Sequence, residues 1–102
     1  MASGKDYLAY ILEQLSGLGD IRYRPMMGEY LLYYQGKLIG GIYDDRLLVK
    51  PTPSAKALLP EAPLALPYEG AKEMLLVEET DDRELLAALA AAVAADLSAS
   101  KR

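Results

Sequence analysis

The residues able to do chemistry in this chain are few. Asp44 and Asp45 stand side by side, and with Glu29 or Glu69 they would offer oxygen ligands to a hard cation. The same pair fits a tight turn, which aspartate shapes through hydrogen bonds from its own side chain. The glycines of "GKLIGG", residues 36 to 41, raise the question of a phosphate cradle. Such a cradle needs a glycine-rich turn leading from a strand into a helix, whereas Gly40 and Gly41 fall inside one β-type run and lead to another. They read as marks of a bulge or a close backbone approach.

Histidine and cysteine are both absent. The usual general base near neutral pH, the thiol nucleophile, the thiolate metal site and the disulfide are therefore excluded together. Ser3, Ser16, Ser54, Ser98 and Ser100 sit at helix caps, helix ends or the tail, where hydroxyls serve the backbone. No catalytic residue, cofactor site or metal site is assigned, and the chain reads as a non-enzyme.

Tyrosine carries more information, because eight tyrosines occur with no Phe or Trp. A phenol ring is apolar with a polar tip, which suits core rims and protein interfaces. Tyr23, Tyr30, Tyr33, Tyr34 and Tyr43 fall on consecutive β-type runs and could tile one sheet face, with Arg22, Arg24 and Arg46 as anchors. The candidate interaction surface is Arg24, Met27, Tyr30, Tyr33, Tyr34 and Arg46. The bland alternative is that about half of these rings pack under the helices.

The elements that position these residues follow from pattern. Leu8, Ile11, Leu12 and Leu15 recur at helical spacing over residues 3 to 16, with Ser3 as a capping start and Gly17 and Gly19 as the stop. Short runs follow: "DIRYRPM", "EYLLYYQ", "KLIGGIY" and "RLLVK". In the first, Pro25 marks an edge or an end. In the second, Tyr30, Leu32 and Tyr34 share one face and Leu31 and Tyr33 the other. Gly28, Gly36 and the Asp44-Asp45 pair supply the turns, too short for anything but antiparallel hairpins.

Thr52 as N-cap and Pro53 at the first helical position begin a helix of about two turns that directs Ala55, Leu58 and Leu59 at the core. "APLALPYEGAK" is extended or looped, and "EMLLVE" is one more strand. Asp81 and Glu84 read as a capping box for a helix over about 82 to 97, with Leu85, Leu89, Val93 and Leu97 on one face. The expected fold is α+β in two layers, order α-β-β-β-β-α-β-α. About five antiparallel strands carry helices on one face, in one domain over residues 1–102.

Eleven basic against fifteen acidic residues give a net charge of −4. The basic residues are scattered, so direct nucleic-acid binding is not expected. No apolar run approaches the roughly 18–20 residues of a membrane span. No signal peptide is evident at the start, and the chain reads as cytoplasmic.

"RPMMGEYLLYYQGKLIGGIYDDRLLVKPT" resembles the signature of the TfoX N-terminal domain family, the leading domain of the TfoX/Sxy competence regulators. Met26, Met27, Gly28, Tyr30, Gly36, Asp44, Asp45 and Lys50 occupy the motif positions, and the resemblance continues through "PYEGAK" and "DDRELLAAL". Met27 stands where the family usually has Phe, Gln35 where it has Asp, and Leu31 where it often has Gly. The resemblance implies a fold like that of the type III secretion chaperones and a role in protein binding, with a regulatory function in transcription or competence in its two-domain relatives. It also makes an unidentified protein, or a second copy of this chain as a homodimer, the expected partner. A small-ligand sensor with a pocket between the sheet and the C-terminal helix is the alternative.

Overall fold

A computed structural model describes residues 4–99. Ten residues, Lys5–Gln14, form α1, which buries Leu8 and Ile11 as the periodicity requires, with Leu15 buried just beyond its end. Ser3, the expected cap, lies outside the described residues. The N-cap is Gly4, and its N–H donates to Asp45 Oδ1 at 2.8 Å. A carboxylate from a distant turn thus sits where the helix dipole favours negative charge.

Four strands follow: β1 (Ile21–Met26), β2 (Glu29–Tyr34), β3 (Lys37–Ile42) and β4 (Leu47–Val49). Each successive pair is antiparallel. Two-residue turns at Met27-Gly28 and Gln35-Gly36 place both central residues at positive φ, and so does Asp44-Asp45. That conformation matches the twist of the flanking strands. The third turn is closed in both directions between Tyr43 and Arg46, at 2.9 and 3.0 Å.

Short helix α2 (Pro53–Leu58) follows, with Thr52 Oγ1 accepting from the Ala55 N–H. Ala55 and Leu59 are buried as expected, but Leu58 is exposed. Leu59 leaves the helical conformation at the C-cap, and Leu58 borders the open hollow beyond the helix end. Then come β5 (Leu64–Ala65), β6 (Met74–Val77) and α3 (Arg83–Ala99). The cap of α3 is Asp82 rather than Asp81: its Oδ1 accepts from the Leu85 N–H at 3.1 Å. Start and cap shift by one residue because it is Leu86, Leu89, Ala90 and Val93 that must face the sheet.

The sheet has six strands, one more than expected, in the order β1-β2-β3-β4-β6-β5. The extra strand is β5, two residues from the proline-rich segment paired with β6. Leu32, Ile42, Leu47, Val49, Leu75 and Val77 meet the helices in the main core. Burying a side chain of this kind fully contributes about 1.5–3 kcal/mol, so this layer holds the domain together.

Gly40 and Gly41 lie within β3, with Ile39 bulged between the paired positions Leu38 and Gly40. A Cβ on Gly40 would stand 2.1 Å from the Leu48 carbonyl oxygen, and one on Gly41 would strike the Tyr30 carbonyl and the Tyr43 ring at 2.7 Å. Both glycines serve strand packing, as their place in the sequence suggests, and no helix follows them to form an anion cradle.

Candidate functional site: the β1 edge

The structure divides the tyrosines between the two sides of the sheet instead of tiling one. Tyr30 and Tyr34 share a face with Leu32 and pack against the helical core. Tyr33 points the other way, beside Arg22 and Arg24, where these residues and Gly36 frame an open hollow of about 440 Å³. Tyr43, next to core residue Ile42, is buried on that outer face with Leu48. Strand alternation dictates this division.

Of the other predicted surface residues, Met27 is at the tip of the β1–β2 turn and is 96% exposed. Arg46 is at the β3–β4 turn, at the same end of the sheet, where Glu29 bonds to Asp44. Its Nε donates to the Tyr43 carbonyl and its Nη2 to the Leu66 carbonyl, both at 3.1 Å. Arg46 therefore straps the segment after β5 across the outer face. Arg24, Met27 and Tyr33 belong to one neighbourhood, the β1–β2 hairpin; Tyr30 and Tyr34 reach it only from beneath.

That neighbourhood contains the sheet edge. Because Gln35 donates to the Asp20 carbonyl at 3.1 Å, the register of the pair makes Arg22 and Arg24 the inward-bonded residues of β1. The N–H and C=O of Ile21 and Tyr23, and the carbonyl of Pro25, therefore face outward along the free edge. Pro25 lacks an N–H at the one kind of position where no ladder bond is lost. Sequence reasoning recognised the edge through Pro25 but did not see that Tyr23 is its centre.

Tyr23 stands over a groove. Its ring meets that of Tyr30 edge to face, centroids 5.9 Å apart, and both line a hollow of about 540 Å³ whose far wall is Leu8, Ala9 and Leu12 of α1. One side of β1 is thus apolar and aromatic. The other carries Arg22 and Arg24, both exposed, with Arg22 in a surface ion pair to Asp20 at 3.1 Å.

The carboxylates of the turns are engaged in holding the backbone: Glu29 Oε1 accepts from the Asp44 N–H at 3.0 Å and Asp45 from Gly4. Among the described residues no three acidic side chains gather as a cation site. The inner space between the sheet and α3, walled by Leu32, Val49, Leu86 and Leu89, amounts to about 10 Å³, while at the rim Leu76 of β6, Leu85 of α3 and the residues after α2 border an open hollow of about 360 Å³. The inner space has room for one water at most, so a ligand between the sheet and the C-terminal helix would have to sit at that rim.

Titration behaviour follows burial and bonding. Burial raises the phenol of Tyr43 above its ordinary range, with smaller contributions from Tyr68, Glu29 and Tyr33. Tyr7 is raised by burial and by neighbouring Tyr10 and Asp45. Asp96 is lowered by hydrogen bonds from the Ser54 backbone and side chain, and also from Thr52. None of these groups lies on the β1 edge. Among the described residues, no helix is long and apolar enough to cross a membrane.

Comparison with known proteins places the chain in a family. The model of the TfoX N-terminal domain family matches residues 13–96. A protein of Spirochaeta aurantia, described as an uncharacterized 12.7 kDa protein in the trpE 5′ region, is 31% identical over 100 residues. The alignment covers 93% of this chain and 87% of that protein.

Proposed function

The chain belongs to the TfoX N-terminal domain family, and on that premise we propose that it is a non-enzymatic protein-binding domain that takes an extended segment of another protein alongside β1. The observation that carries the reading is the coincidence of a free strand edge with an apolar groove: the outward groups of Ile21 and Tyr23 beside the Leu8, Leu12 and Tyr30 wall. A strand added to a sheet edge gains main-chain hydrogen bonds, and pockets for alternate side chains give it specificity. Here one alternate set would meet the groove and the other would meet Arg22 and Arg24, which favours a segment alternating apolar and acidic residues.

The same charges favour a different chain over a second copy. Two β1 strands paired antiparallel about Tyr23 would set Arg22 opposite Arg24 twice, and like charges directly opposed destabilise a ladder. A cytoplasmic location and a part in regulating transcription fit such a domain.

The test is partner capture by the wild type and by the Tyr23→Ala and Arg24→Glu variants, with melting temperature measured in parallel. Both side chains are exposed, so the fold is expected to persist while capture is lost. Undiminished capture by both variants would overturn the proposal.

A further inference from the structure

The outer face of the sheet carries a second hollow, remote from the β1 edge. The segment strapped down by Arg46 lies across that face and borders an open hollow of about 330 Å³, within the roughly 300–1,000 Å³ of small-molecule sites. Its walls are apolar: the rings of Tyr43 and Tyr68, centroids 6.1 Å apart and tilted by 54°, with Pro67 and Met74. Tyr43 is buried and gives a fixed surface, whereas Tyr68 is half-exposed at the mouth. A flat apolar body suits this space better than a bulky one.

Lys50, at the end of β4, and Lys72, from the strapped segment, both line the hollow. No ion pair or hydrogen bond engages either ammonium among the described residues. In a chain with fifteen acidic residues against eleven basic ones, two unpaired cations at one apolar hollow are an imbalance that a bound anion would remove. Glu73 also lines the space, which leaves a single net positive charge and disfavours a dianion.

We propose that this hollow binds a small organic monoanion with a flat apolar body, an aromatic carboxylate by chemical class. The carboxylate sits between Lys50 and Lys72, and the ring lies against Tyr43 and Tyr68. The ligand would also fasten the strapped segment to the sheet, since Lys72 and Tyr68 come from one and Lys50 and Tyr43 from the other.

Amide NMR titration of the full chain with 1-naphthoate and benzoate tests this, with benzylamine and benzyl alcohol as controls. Saturable shifts at Tyr68, Ala71 and Lys72 are expected with the carboxylates only. Affinity is expected to fall about tenfold or more in the Lys50→Gln, Lys72→Gln double variant, equivalent to about 1.4 kcal/mol. Tyr68→Ala, at a half-exposed position, removes one wall and is expected to abolish the shifts while leaving the melting temperature unchanged. Absence of saturable shifts at millimolar carboxylate, equal binding of the amine, or unchanged affinity in the double variant would each overturn the proposal.

Discussion

The Asp96 carboxylate on α3 takes both polar groups of Ser54 on α2, the backbone N–H at 2.7 Å and the hydroxyl at 2.9 Å. A residue near the end of one helix thereby secures the start of another, and the two helices close over the core as a unit. The bonds favour the charged carboxylate and hold its pKa below the ordinary value.

The consequence is a dependence of stability on pH with a defined sign. A carboxyl more acidic in the folded than in the unfolded chain contributes stability above its unfolded pKa, and loses it as pH falls through the folded one. Melting temperature should therefore drop on acidification below about pH 4, the ordinary carboxyl range, and Asp96→Ala should reduce that drop while lowering the melting temperature at neutral pH. Thermal unfolding of both proteins across this range checks the sign.

Gly40 tolerates no side chain. Alanine there would force its Cβ onto the Leu48 carbonyl, and β3 can yield only by separating from β4. Gly40→Ala is expected to cost about 3 kcal/mol or more, seen as a large fall in the denaturant midpoint with the slope unchanged.

Met27 is the opposite case, a residue whose conformation is strained and whose side chain is free. It sits at φ 54° and is 96% exposed. An asparagine is more at ease in the left-handed region, and Asn-Gly is the favoured pair for this turn. Met27→Asn should stabilise the domain by about 0.5–1 kcal/mol, measured by denaturant unfolding.

Gln14 is a buried polar residue that ties α1 to the turn leading into α3. Its Nε2 donates to the Thr80 carbonyl at 2.9 Å. Gln14→Leu would leave that carbonyl without the bond and is expected to cost about 1–3 kcal/mol. Hydrogen exchange should show α1 loosening before the sheet.

These positions differ in how far the sequence discloses them. The hairpins were legible because turn chemistry is local: Gly36 and the Asp44-Asp45 pair dictate reversals whatever surrounds them. The strand glycines and the Thr52 cap were legible for the same reason. The Asp96–Ser54 bond spans 42 residues of sequence, and no local pattern announces it. Strand β5 escaped because two residues carry no alternation to read, and its pairing is made by β6.

The site was harder still. Alternation correctly put Tyr30 and Tyr34 opposite Tyr33, but which face meets the helices depends on long-range packing. For that reason alanine at Tyr34 would probe the core as much as any interface, and Tyr23 is the cleaner position. Arg46 illustrates the same limit. Its charge suggested an anchor for a partner, and its guanidinium is bonded to the backbone of its own chain.

The measurement that bears most directly on strand addition at β1 is amide hydrogen exchange at Ile21 and Tyr23, compared in the free protein and in its complex with the captured partner. These two N–H groups face outward from the sheet edge and exchange freely unless a strand covers them. The account predicts that both slow strongly on binding, while the already bonded amides of Arg22 and Arg24 change little. Unchanged exchange at Ile21 and Tyr23 in a saturated complex, with protection appearing on another surface, would contradict it.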